Sequence, residues 1–308
     1  MGIGQSAGRN HLKMPEAFAA YEAVRHRLPL AKTRGACLRL PDLDALADDF
    51  DTFLLDAFGV LNIGETAIEG VPERVSGLQM AGKRVVVVSN AAGYPHSTLM
   101  KKYKRLGYNF APEDVITSRK TLLHAAASEP DRHWGLIAQE SFGREGVGHL
   151  DTTFLSDDAR EYDAVDGFLM LGSSNWTEER QTLLEDSLAR TARPVLVGNP
   201  DIVAPREHGF STEPGHFAHR LADRVGIEPH FFGKPFANIY DLAFAQIDRC
   251  DPERTLMVGD SLHTDILGAQ TAGVKSALIA GYGFFDGYDT RQPIAASGIY
   301  PDFILDRP

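Results

Sequence analysis

Asp56 closes the apolar run Phe53-Leu54-Leu55, and Gly59 follows three residues later, where the backbone can turn sharply. A carboxylate in that place is either a turn residue or a group aimed at a ligand. Three later stretches bring other reactive side chains. Arg84-Val85-Val86-Val87-Val88-Ser89-Asn90 ends on a hydroxyl, and Phe231-Phe232-Gly233-Lys234-Pro235 carries an amine. The stretch from Thr255 to Asp265 ends in two acids five positions apart, Asp260 and Asp265. Singly, each has an ordinary structural use: Asp260 in a strand-end turn, Asp265 as a helix cap, Ser89 in a turn, Lys234 as a solvated surface lysine. Together, in this order, a nucleophile, a hydroxyl, an amine and paired acids make the inventory of a catalytic site.

Such an inventory works only if the chain delivers it to one place. Four apolar or near-apolar positions in a row suit a strand buried on both faces of a parallel sheet, with Asp56 at its carboxyl end, where open α/β sheets hold ligands. The valine run reads as a second such strand and 255–259 as a third. Between the first two, 71–80 reads as a helix with Pro72 in its first turn and Gly82 behind it, giving a right-handed βαβ unit. Phe18, Tyr21, Val24 and Leu28 recur at helical spacing and predict a helix over 15–28 on the outside of the core. A short helix is expected over 43–50 behind Pro41 and Asp42, irregular chain over 62–70, a helix over 96–106 and a strand over 114–117.

Residues 118–229 carry strands of their own (134–138, 165–171, 195–198) and helices (122–128, 178–190, 216–225), enough to bury a separate core. The main domain then comprises 1–117 and 230–308, with 1–45 as an N-terminal extension whose glycine-rich, polar start (1–14) is expected to be poorly ordered. Helices over 239–249 and 265–272 and strands over 276–279 and 302–305 complete it. The hinges of the insert fall near Thr117 and Phe232.

The net charge of −11 over 308 residues opposes nucleic acid and anionic membranes as partners. It also means that an anionic substrate needs a local positive site. The two cysteines, Cys37 and Cys250, give no disulfide framework, so the cytoplasm is the expected location. No apolar run approaches a membrane span, and the N-terminus lacks the pattern of a signal peptide. Gly2-Ile3-Gly4 has no strand before it and so is not a dinucleotide loop.

The order of the four stretches resembles the four motifs of the haloacid dehalogenase superfamily. The insert, containing Gly198-Asn199-Pro200-Asp201, resembles that of the class IIA branch, the branch of N-acetylglucosamine-phosphate and nitrophenyl-phosphate phosphatases. The resemblance implies an α/β fold with a Rossmann-like parallel-sheet core and an inserted α/β cap. It implies phosphoryl transfer from a small phosphorylated metabolite through an aspartyl-phosphate on Asp56. Magnesium is the implied cofactor, held by Asp56, Asp260 and the Phe58 carbonyl, with Asp265 holding a metal-bound water or orienting Lys234. Lys234 would offset charge, and Ser89 with the amides of Asn90 and Ala91 would hold a phosphate oxygen. Asn199 and Asp201 would face the substrate from the cap, with Arg119, Arg206 and His208 nearby. His216 and His219 share a helix face but lack a third metal ligand.

Phe58 departs from the pattern. Most phosphatases of the superfamily have a second Asp there, as general acid and base, so hydrolysis is expected to be weakened unless His96, His263 or another group substitutes. Two alternatives follow: a catalytically impaired phosphate- or metabolite-binding protein, and a metal-independent 2-haloacid dehalogenase, whose first motif carries an aromatic at that position. A homodimer is compatible with any of these.

Overall fold

The computed structural model describes residues 12–205 and 209–308, and its centre is a sheet of seven parallel strands. Thr52–Leu55 is buried at all four positions. It pairs with Arg84–Ser89 on one side and Thr255–Gly259 on the other. Val115–Thr117 ends the first side; Lys275–Ile279, Phe303–Leu305 and Leu38–Leu40 extend the second. The chain therefore builds outward from Thr52–Leu55 in both directions, which makes the carboxyl end of that strand a topological switch point.

Strand alternation divides the side chains between two layers. Phe53, Leu55, Val85, Val87, Leu256 and Val258 pack with Val75, Leu78, Leu99 and Tyr103 from helices Val71–Met80 and His96–Arg105. Leu54, Val86, Val88 and Met257 pack on the other face with Ile239, Tyr240 and Ala243 from helix Ala237–Phe244. With both faces covered, each of these strands is apolar through its middle, with polar residues only at its ends, as a buried parallel sheet favours.

A second parallel sheet orders its strands His230–Phe231, Val195–Val197, Gly167–Met170, Trp134–Ile137 and Thr152–Phe154. Phe168, Tyr162, Trp176, Leu184 and Phe217 fill one of its faces, and Trp134, Leu136, Leu169, Leu122 and Val147 the other. Its last strand, at 230–231, lies just past the expected limit of the insert at 229.

Several local expectations are revised. The 43–50 segment is a 3-10 turn over Leu43–Leu46, capped by the Asp42 carboxylate accepting from the Asp44 amide at 3.1 Å. The 62–70 segment contains a small antiparallel hairpin, Asn62–Ile63 with Thr66–Ala67. A second hairpin, Val203–Pro205 with Phe210–Thr212, flanks Asp201. The expected 15–28 helix is α-helical over Met14–Ala23 and ends in a 3-10 turn, Arg25–Arg27. The helix expected over 239–249 stops at Phe244, and that over 265–272 begins as a wider π turn, Leu262–Ile266. The glycine-rich start of the chain, to residue 11, lies outside the described residues. Among the described residues, no helix is long and apolar enough to cross a membrane.

Phe168 is fully buried at the centre of the second sheet. Phe168→Ala should therefore lower unfolding stability by about 3–5 kcal/mol in a denaturant titration; a loss below about 1 kcal/mol would contradict the packing of strand Gly167–Met170.

Candidate active site

Three neighbouring strands deliver Asp56, Ser89 and Asp260 to one edge of the main sheet. The Asp56 amide donates to Val258 O at 2.9 Å, so its backbone prolongs the ladder by one rung. The chain then turns back tightly: the Gly59 amide donates to Asn62 O at 3.0 Å and the Leu61 amide to Ala57 O at 2.8 Å. Gly59 has φ +77°, and a Cβ there would lie 2.5 Å from Asp260 Oδ2. Gly283, with φ +71°, presses on the same oxygen from the other side, where any side chain would collide with it. The Phe284 amide donates to Asp260 Oδ2 at 2.8 Å. Asp260 is thus seated in a cradle that only glycine allows.

Lys234 enters from the loop leaving the second sheet. Its Nζ lies 2.6 Å from Asp56 Oδ1 and 2.7 Å from Asp265 Oδ1. The residue is 1% exposed, so its charge must be compensated within the protein. Burial alone would push the ammonium down, but Asp265 and Asp56 outweigh it and hold it well above its ordinary value. Asn90 clasps the Lys234 backbone on both sides: the Lys234 amide donates to Asn90 Oδ1 at 2.8 Å, and Asn90 Nδ2 donates to Lys234 O at 2.9 Å.

Asp265 sits on the π turn, where its own amide and that of Ile266 both reach Ser261 O at 3.2 Å. Its Oδ2 accepts from the Ser261 amide at 3.0 Å. Burial raises its carboxyl to about 6, Lys234 opposing and Asp56 adding. Burial, then Asp265 and Asp56, lift Asp260 well above the usual carboxylate range.

Carboxylate oxygens of Asp56, Asp260 and Asp265 all lie within 4.8 Å of one another, the one such group of potential metal ligands among the described residues. Three carboxylates against one ammonium leave a formal excess of two negative charges. Hard oxygen donors with that excess fit a divalent cation such as magnesium or calcium.

The cluster opens onto a cavity of about 370 Å³. Of the expected residues, Asp56, Phe58, Ser89, Asn90, Ala91, Asn199, Asp201, Lys234 and Asp260 line it. Asp265 does not; it is fully buried behind Lys234. Ser89 Oγ accepts from the Ala91 amide at 3.3 Å. The Asn90 side chain is engaged by Lys234 and by Asp201 Oδ1 at 2.8 Å, which leaves its backbone, not its amide group, available to a ligand. Asn199 Oδ1 accepts from the Asp201 amide at 3.0 Å, and Asn199 Nδ2 donates to Glu213 Oε2 at 3.2 Å. Burial pushes the Asp201 carboxyl up to about 7, with Glu213 and Asp56 adding and Asn90 and Lys234 opposing.

Other candidates fall away from the cavity. Arg119 donates to Ala92 O at 3.1 Å and Glu145 O at 2.8 Å, bracing two loops. Arg206 and His208 lie outside the described residues. His96 does not line the cavity, and His263 faces Glu22 at 2.6 Å. His219 stacks on Phe231 at 4.7 Å, and burial pushes its ring down to about 4. Tyr21, by contrast, does line the cavity; its helical spacing marks it only as a packing residue.

Residues 53–146 match the profile of haloacid dehalogenase-like hydrolases, and residues 231–307 match a second HAD-hydrolase-like profile. A glycerol-3-phosphate phosphatase of Gallus gallus is 30% identical over 302 residues, 90% of this chain and 96% of that one. A solved structure described as a possible sugar phosphatase of the HAD superfamily, from Cytophaga hutchinsonii, superposes with a TM-score of 0.78 at 21% identity and covers 88% of this chain and 98% of that one. The glycerol phosphate phosphatase of Mycobacterium tuberculosis, solved in complex with magnesium, gives a TM-score of 0.63 at 24% identity, covering 77% and 70%. With the four motif segments gathered at one sheet edge and a relative matched over nearly the whole of both chains, this chain belongs to the haloacid dehalogenase-like hydrolases and stands among their phosphatases.

Proposed function

We propose that the protein hydrolyses the phosphate monoester of a small metabolite in the cytoplasm, with Asp56 as nucleophile. The observation that carries this reading is the convergence of Asp56, Asp260 and Asp265 beside the buried Lys234 amine, with Asp56, Asp260 and Lys234 lining one cavity and Asp265 behind them. An Asp56 carboxylate oxygen would attack phosphorus while the bond to the leaving oxygen breaks; water would then cleave the aspartyl-phosphate, restoring Asp56 and releasing inorganic phosphate. Lys234 holds positive charge against Asp56, where an incoming phosphate would otherwise meet only carboxylates. Ser89 and the Asn90 and Ala91 amides would bind a phosphate oxygen as charge spreads over it. Asp56, Asp260 and the Phe58 carbonyl would hold magnesium, with Asp265 locking Lys234 and reaching the ion through water; when bound, the ion would neutralise charge on both nucleophile and phosphate.

Residues 118–229 act in this reading as a cap that walls the cavity through Asn199 and Asp201 and selects the leaving group. Phe58 lines that cavity at the place where a second acid is expected. It cannot give the leaving oxygen a proton, so esters of weakly basic alcohols are the better substrates. The convergence of all three acids favours this metal-assisted chemistry over a metal-independent dehalogenase, which has no need of them.

A hydrolysis screen over a panel of phosphorylated metabolites, run with and without magnesium, tests the reading: turnover that needs magnesium is expected, and none on any phosphate ester would overturn it. Asp56→Asn should abolish turnover of 4-nitrophenyl phosphate. Phe58→Asp should raise kcat on alkyl phosphates by about tenfold or more while changing the nitrophenyl ester less; an unchanged or lower rate would mean that another group already supplies the proton. Magnesium at a hundredfold excess over its dissociation constant should stabilise the wild type by about 2.7 kcal/mol in thermal melts. Gly283→Ala, which displaces Asp260, should remove that increment, and its persistence would take Asp260 out of the metal site.

A further inference from the structure

The helix Met14–Ala23 lies outside both matched segments, yet two consecutive residues on it touch the two halves of the site. The Tyr21 hydroxyl donates to Val203 O at 3.2 Å and accepts from the Ile202 amide at 3.3 Å. Those are the backbone groups immediately after Asp201. The hydroxyl thus satisfies a buried donor and a buried acceptor at the foot of the cavity wall that carries Asn199 and Asp201.

The ring of Tyr21 faces the opposite way. It stacks on His263 at 5.1 Å and meets Phe284 edge-on at 6.1 Å. His263 lies on the π turn between Asp260 and Asp265, and the Phe284 amide is the one that holds Asp260. Glu22, the next residue, reaches His263 Nε2 at 2.6 Å. Around these contacts, Met14, Ala17, Val24 and Leu28 share one buried cluster with Ile202, Val203 and Phe210 from the hairpin side and Leu262 and Ile266 from the acid-bearing turn. The exposed ion pair Arg27–Asp223 adds little to this grip, being open to water.

We propose that Tyr21 is a positioning residue for the leaving-group wall, setting residues 199–203 at a defined distance from the acidic centre, so that substrate affinity depends on an N-terminal helix that carries none of the reacting groups. This rests on the hydrolytic reading above. In that reading phosphate is held by the main-sheet edge, whereas the Tyr21 hydroxyl reaches only the wall beyond it. Tyr21→Phe keeps the ring and its stacking on His263 but leaves the Ile202 amide and the Val203 carbonyl without their partner.

The full-length variant is compared with wild type in three measurements: steady-state hydrolysis of 4-nitrophenyl phosphate, competitive inhibition by inorganic phosphate, and amide hydrogen exchange over residues 199–205. The expected result is a KM raised about fivefold or more, kcat within about twofold, an unchanged inhibition constant for phosphate, and faster exchange at Ile202. Loss of kcat with KM, or an inhibition constant that rises in step with KM, overturns the proposal, because a general loosening of the site would do that. Unchanged exchange at Ile202 overturns it also. If wild type does not turn over the ester, the hydrolytic reading fails, while exchange still decides whether Tyr21 anchors the wall. If Tyr21→Phe does not fold, Tyr21→Met takes its place: it also removes the hydroxyl from Ile202 and Val203 while keeping an adaptable apolar side chain in the buried cluster, and an unchanged KM overturns the proposal.

Discussion

A buried ammonium between two carboxylates sets the terms for the rest of the site. Lys234 could not stay charged at 1% exposure without Asp56 and Asp265, and those acids could not crowd together with Asp260 without it. Buried ion pairs add little net stability, since desolvation offsets their attraction. Their value here is geometric: without Lys234 the three carboxylates would crowd together with no cation between them, so the segments that carry them are held in one arrangement. The surrounding backbone enforces that arrangement. Asn90 closes both sides of the Lys234 peptide, and two glycines press Asp260 into place. The remaining negative excess is what a divalent cation would relieve.

The parts of this site that the sequence makes legible are those tied to a strand. Phe53-Leu54-Leu55 must be buried on both faces, so Asp56 has to emerge at the end, and the same logic places Ser89 and Asp260. The second sheet is legible for the same reason, from its apolar runs. Short elements are not. Thr152–Phe154 and the two small hairpins span two or three residues a strand, too few to show a period. The 3-10 turn at Leu43–Leu46 and the π turn at Leu262–Ile266 keep helical composition while changing the hydrogen-bond register, which composition cannot report. Tyr21 was legible as a buried helix position and illegible as a cavity residue, because its partners are some 180 residues away.

The aromatic at position 58 alters how the hydrolytic reading distributes its work. Where a carboxyl would stand beside the leaving oxygen, Phe58 offers a half-buried ring. Charge stabilisation by Lys234, Ser89 and the adjacent amides would be untouched by that change, since in the proposed reaction it acts on the phosphoryl group. Proton supply to the alcohol is what that reading would lack. The two contributions are separable because they act on opposite sides of phosphorus, so the rate would follow the basicity of the leaving group while phosphate affinity would not.

That separation carries over to the architecture. The end of the cavity proposed to take phosphate belongs to the edge of the main sheet, whereas Asn199 and Asp201 belong to a loop of the second. Polar contacts that tie the two ends include Asn90 to Asp201 and the Tyr21 hydroxyl to the two residues that follow. Asn90 also clasps Lys234, so the side chain that meets Asp201 holds the backbone of the amine-bearing residue as well. One asparagine therefore joins the loop carrying Asn199 and Asp201 to the peptide of Lys234. A loop that moved freely would uncouple them, which is a physical reason for a helix from the far N-terminus to be packed against it.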